Sequence, residues 1–131
     1  MLLRPVLAFA LTLPAATAAD HPAPVEGDVV LRDFRFASGE VLAELRLHYT
    51  TIGSPEHDAV LLLHGTTGSG RQFLSDDFAG ELFGRGQLLD GRRHFLILPD
   101  GIGHGKSSKP SDGRRARFPR YTYDDMVAAQ Y

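Results

Sequence analysis

Ala59-Val60-Leu61-Leu62-Leu63-His64-Gly65-Thr66-Thr67-Gly68-Ser69-Gly70 is the stretch that decides the fold. Five apolar residues without alternation predict a short strand buried on both faces, the kind found in parallel sheets. The glycines that follow let the chain reverse at once and leave backbone N–H groups near the start of a helix. Phe73, Leu74, Phe78, Leu82 and Phe83 then recur at helical spacing up to Gly84. The pattern returns downstream. His94-Phe95-Leu96-Ile97-Leu98-Pro99 is a second apolar strand, and Asp100-Gly101-Ile102-Gly103-His104-Gly105 a second glycine-rich turn. A polar, basic loop runs from Lys106 to Arg120. Thr122 stands as the N-cap of a further helix, with Asp124 and Asp125 in the first turn, where the helix dipole favours acids.

Upstream, Val29 to Phe36 alternates in part. Val41 to Tyr49 has period two, with Val41, Ala43, Leu45, Leu47 and Tyr49 on one face and Glu40, Glu44, Arg46 and His48 mostly on the other. The turn residues Ala37-Ser38-Gly39-Glu40 between them predict an antiparallel hairpin. A hairpin followed by strand, helix, strand and helix predicts an α/β sheet with an antiparallel start. Ligands of such sheets sit at the carboxyl ends of the strands, where both glycine turns fall.

The N-terminus has a different character. Arg4 precedes an apolar run from Val6 to Leu13, Pro14 ends it, and Ala16-Thr17-Ala18 is a small-x-small exit. That order predicts a Sec-type signal peptide over residues 1–18, and hence export to the periplasm or medium. The run is shorter than the ~20 residues a membrane span needs. Residues 19–27 then form an exposed lead-in, and residues 28–131 the α/β domain. The whole sequence of 131 residues is 43% apolar and 23% charged, a globular composition, and its net charge of −2 gives no general attraction to nucleic acid. With no cysteine, disulfide frameworks, thiol catalysis and iron–sulfur clusters are excluded.

The two turns carry the candidate chemistry. In the first, Gly65, Gly68 and Gly70 are spaced G-x-x-G-x-G. Exposed N–H groups there suit a bound anion or a transient oxyanion; a plain tight turn is the simpler alternative. The glycine order is not that of a dinucleotide fingerprint. Gly105-Lys106-Ser107 matches the end of a P-loop, but Asp100 holds the place of its first glycine, so no cofactor is expected. In the second turn Asp100 and His104 lack a third ligand nearby, so no metal is expected either. No serine, Ser107 and Ser108 included, sits in the G-x-S-x-G elbow of a hydroxyl nucleophile; Ser69 lies between two glycines, but Thr67 and Arg71 fill the outer positions. Asp100 reads as an acceptor for loop N–H groups and His64 as a hydrogen-bonded structural histidine. Eight basic residues between 92 and 120 face only Asp100 and Asp112, which makes a solvated loop or a patch that draws anions.

Leu61-Leu62-Leu63-His64-Gly65 together with Asp100-Gly101-Ile102-Gly103-His104-Gly105-Lys106-Ser107-Ser108-Lys109-Pro110 resembles the HG turn after the third strand and the D-x-x-G-x-G-x-S loop after the fourth strand of the α/β-hydrolases. Leu47-His48-Tyr49-Thr50-Thr51-Ile52-Gly53, Leu88-Leu89-Asp90, and Thr122 with Asp125-Met126-Val127 and Ala129-Gln130 are similar to the homoserine O-acetyltransferase-like members. That group usually has alanine and leucine in place of Gly65 and Thr66. The resemblance implies an acyl hydrolase or acyltransferase acting on a small acyl substrate. It also implies that a backbone N–H of Thr66, or alternatively Thr67, serves the oxyanion hole, with His64, Gly65, Asp100, Gly103 and Gly105 shaping the turns. In that fold the nucleophilic serine follows the fifth strand, with the acid and the histidine later still. The present chain is therefore expected to be an N-terminal fragment, truncated before the nucleophile elbow and inactive alone. Its third strand would then lie at an open edge and invite self-association. A non-catalytic module that holds an anion in its glycine turns is the alternative.

Overall fold

The structure, a computed structural model, describes residues 20–131. The segment expected as a signal peptide lies outside the described residues. Strand β1 (Val25–Arg35) and strand β2 (Val41–Ile52) form the expected hairpin, paired antiparallel from Val25 with Thr51 to Arg35 with Val41. Strand β3 (Asp58–Leu61) and strand β4 (His94–Pro99) lie parallel, and β2 joins them by pairing antiparallel with β4. The order across the sheet is β1-β2-β4-β3. Helix α1 (Asp76–Leu82) follows β3, and helix α2 (Tyr123–Gln130) follows the long loop after β4.

Two apolar clusters sandwich the sheet. Ile52, Leu96 and Leu98 pack with Phe73, Ala79 and Phe83 around α1. Leu42, Leu45, Leu47 and Phe36 pack with Ile102, Phe118 and Ala129, the last from α2. Burial of Leu45, Phe83, Leu96 and Leu98 is complete or nearly so, and each contributes about 1.5–3 kcal/mol of transfer free energy.

Several expectations are corrected. The stretch from Ala59 to Leu63 is not buried on both faces. Val60 and Leu62 pack into the α1 cluster, but Leu61 and Leu63 are 49% and 57% exposed. The reason is position: β3 is the last strand in the sheet order, so among the described residues no strand lies beyond it, and its second face is only partly covered. The inward face of β2 also departs from strict alternation. Leu45 and Leu47 are buried as expected, but Val41 and Ala43 are exposed and Leu42, His48, Thr50 and Ile52 are buried instead. Parity changes beside Asp33, whose φ of 51° distorts β1, and the four residues of β2 that pair with β4 are buried at Thr50 and Ile52 and half-buried at Tyr49 and Thr51. The single helix expected from Phe73 to Phe83 is split by Ser75. A 3-10 turn covers Gly70–Leu74, Ser75 is extended, and α1 begins with Asp76 and Asp77 at its positive end.

The lead-in is shorter and less free than expected. β1 already begins at Val25, and Asp20 accepts from Arg85 N–H at 3.2 Å and pairs with Arg92 at 3.2 Å. Helix α2 starts where its sequence says. Thr122 N–H donates to Asp125 Oδ2 at 2.8 Å, and Asp125 N–H returns to Thr122 Oγ1, a reciprocal capping box. Asp125 Oδ1 also accepts from Ala37 N–H at 2.7 Å, so one carboxylate caps the helix and fastens it to the hairpin turn.

Candidate functional site

Both glycine turns lie at the carboxyl ends of the parallel strands β3 and β4, and Asp100 ties them together. Its Oδ1 accepts from Gly70 N–H at 2.8 Å and its Oδ2 from Lys106 N–H at 2.7 Å. The carboxylate is buried, and two N–H donors replace the water it gives up. Asp100 thus accepts from two loops at once. Gly105, at φ 50°, is required because a Cβ there would collide with that carboxylate. Gly70 is required because a Cβ would meet the Leu98 carbonyl. Gly65 has open space around it.

Ser107 and Ser108 are laces. Ser107 is fully buried; its Oγ donates to the Asp100 carbonyl at 2.6 Å and accepts from His48 N–H at 2.9 Å. Ser108 Oγ accepts from Arg46 N–H at 3.0 Å. Together they sew the second turn to β2. The motif that contains them was visible in the sequence, but this role was not, because the partners are backbone groups about sixty positions away.

His64 is bound at both ring nitrogens. Nδ1–H donates to the Gly65 carbonyl at 2.7 Å, and Gly101 N–H donates to Nε2 at 2.9 Å. That pairing specifies a neutral ring with its proton on Nδ1, and it bridges the two turns as Asp100 does. The His104 ring lies 5.0 Å from that of His64 between centroids. Its nitrogens face the carbonyls of Ile102, at 3.0 Å, and of Thr66.

The amides of Thr66 and Thr67 donate no hydrogen bond among the described residues, whereas Gly68 N–H is used by the Gly65 carbonyl at 3.0 Å. Thr66 borders a cleft of about 530 Å³ between the first turn and the start of α2, lined by His64, Gly65, Thr66, His104, Tyr121, Thr122, Tyr123 and Met126, whereas Thr67 borders a separate depression with Gly68, Ser69 and Arg71. No Lys, Arg, Asp or Glu lines the cleft. Gly103, at φ 84°, lets the Tyr121 hydroxyl pack directly on the second turn. The basic residues of the loop lie elsewhere: Lys106 pairs with Glu26 at 2.5 Å and Lys109 with Asp112 at 3.6 Å.

No family model matches the chain. It is 34% identical over 116 residues to the homoserine O-acetyltransferase of Geotalea daltonii, an alignment covering 75% of this chain and 32% of that protein. It is 36% identical over 124 residues to the homoserine O-acetyltransferase of Pelobacter propionicus, covering 80% and 33%. In structure it resembles the homoserine O-acetyltransferase of Staphylococcus aureus, with a TM-score of 0.68 at 26% identity over 82% of this chain and 34% of that one. The chain has the fold of the N-terminal part of an α/β-hydrolase. An acetylester hydrolase from Corynebacterium glutamicum shares the fold, with a TM-score of 0.68 at 22% identity over 81% of this chain. The chain spans about a third of the length of the curated relatives it matches. The hairpin, the crossover from β3 through α1 to β4 and the two laced turns are thus the N-terminal part of an α/β-hydrolase sheet.

Proposed function

We propose that this chain is the N-terminal part of an exported serine-type acyl hydrolase or acyltransferase, and that the turn after β3 supplies an oxyanion-hole donor. The observation that carries the reading is the pair of unspent amides at Thr66 and Thr67 beyond the end of β3, with Thr66 bordering a cleft that no Lys, Arg, Asp or Glu lines. When a nucleophile adds to an acyl carbonyl, negative charge grows on the oxygen. A backbone N–H already fixed in place meets that charge without reorganising, an effect of ~3 kcal/mol per donor. Thr66 is the first choice, with Thr67 beside it. Asp100, His64 and the obligatory glycines keep the turn rigid. The nucleophile, its acid and its histidine then belong to sequence beyond residue 131, and the second donor follows the nucleophile.

The test has two arms. The full-length gene product should hydrolyse 4-nitrophenyl acetate, with a serine labelled by a fluorophosphonate, while the purified 131-residue chain should show no turnover. Turnover by the chain alone, or an inert full-length protein, overturns the reading. Export rests on the N-terminal pattern around Arg4, Val6 to Leu13 and Ala16 to Ala18. N-terminal sequencing of the mature protein should begin at Ala19; recovery of an intact Met1 from the cytoplasm refutes export.

A further inference from the structure

We propose that His104 is a positioning residue that aims the amide of Thr67, completing a clamp on the oxyanion turn that His64 begins. The inference rests on the acyl-transfer reading above and goes one step deeper into the same site. Its physical basis is the planar trans peptide, in which the carbonyl of one residue and the N–H of the next point in opposite directions within one rigid unit. Whatever grips the carbonyl therefore sets where the N–H points. The Gly65 carbonyl accepts from His64 Nδ1–H at 2.7 Å and from Gly68 N–H at 3.0 Å, which fixes the Gly65–Thr66 peptide and hence Thr66 N–H. The Thr66 carbonyl faces His104 Nε2, which fixes the Thr66–Thr67 peptide and hence Thr67 N–H. The two peptides that carry the unspent amides are thus each held by one histidine, from opposite sides of Thr66.

The clamp answers a local need. Gly65 has the freest backbone of any residue type and nothing within reach of a Cβ, so packing does not hold the turn there. His104 is itself anchored through its backbone: its N–H donates to the Gly101 carbonyl at 3.0 Å, and the adjoining Ile102 is buried in the core. Gly103 and Gly105 on either side have φ of 84° and 50°, the backbone that brings residue 104 back over the first turn. A carbonyl accepts only, so Nε2 must carry a proton for the contact to hold, and the side chain acts as a donor.

Three variants of the full-length protein separate the possibilities. Leucine at 104 removes the donor, glutamine offers an N–H where Nε2 stood, and asparagine offers one only where Nδ1 stood. With 4-nitrophenyl acetate, His104→Leu is expected to lower kcat about 10- to 100-fold, the scale of a misaimed donor, with little change in KM. His104→Gln should recover most of kcat and His104→Asn should not. If His104→Leu melts far below wild type, the Gln and Asn variants alone decide. Equal kcat in Gln and Asn, an unchanged kcat in Leu, or a loss confined to KM overturns the clamp. A wild-type protein without turnover overturns the acyl-transfer reading instead, so the two failures are told apart.

Discussion

Asp100 accepts N–H groups from two turns, one at Gly70, thirty positions before it, and one at Lys106, six after it. Asparagine keeps only one acceptor oxygen and turns an NH2 toward the other donor. Asp100→Asn should therefore lower stability by about 1–3 kcal/mol, the cost of one buried donor left unmade, read as a shifted urea midpoint. At the glycines the expected order is sharp. Gly65→Ala should be tolerated, since nothing meets its Cβ, while Gly105→Ala should unfold or fail to express soluble protein, because it drives a Cβ into the Asp100 carboxylate at a left-handed φ. Alanine at position 65, usual in the group this chain resembles, fits that open space. Titration adds a third expectation. Backbone N–H groups of Gly86 and Arg92 hold the Asp90 carboxyl below its ordinary 3.8, Ala37 N–H does the same for Asp125, and the Lys106 ammonium lowers Glu26 from 4.5. These groups bind protons less readily folded than unfolded. Their stabilisation is complete above the ordinary values and is lost as pH falls through the depressed ones. Urea midpoints should hold down to about pH 5 and fall below 4.5, and Asp125→Asn should make that fall shallower.

Among the elements, α2 tests how a helix start is specified. Thr122 and Asp125 were legible as a cap and a first-turn acid because capping chemistry is local. The bond from Ala37 N–H to Asp125 was not, because it joins residues 88 positions apart. Thr122→Ala should cost ~1 kcal/mol. Asp125→Ala should cost more, since it also releases the hairpin turn; equal losses in thermal or urea melts would show that the Ala37 contact adds nothing. The hairpin itself was legible in type and turn, yet the faces of β2 were half misread. Alternation reports one buried face, whereas all four residues of β2 beside β4 are buried or half-buried. The split at Ser75 was hidden for a similar reason: apolar residues of the 3-10 turn and of α1 enter one cluster, so together they imitate the period of a single helix.

For the molecule as a whole, the exposed side of β3 is the feature with the largest consequence. Leu61, at the end of the last strand in the sheet order, and Leu63 just beyond it stand half uncovered, and unpaired strand edges with apolar side chains associate. Expressed alone, the 131-residue chain should self-associate in light scattering, and Leu61→Lys with Leu63→Lys should shift it toward monomer. A monodisperse wild-type monomer that melts cooperatively would count against this.

The sequence by itself determined the element types, the hairpin, the parallel pair and the two glycine turns at the strand ends, because backbone sterics, apolar period and capping act over a few residues. It also marked Thr66, Thr67 and Asp100 as the residues to watch. Only the tertiary structure decided that Leu61 and Leu63 stand half uncovered, that Asp100 and His64 each bridge both turns, that Ser107 is a lace, and that His104 grips the Thr66 carbonyl. Those facts depend on which distant backbone groups arrive within hydrogen-bond reach, and no local preference of the chain encodes that distance.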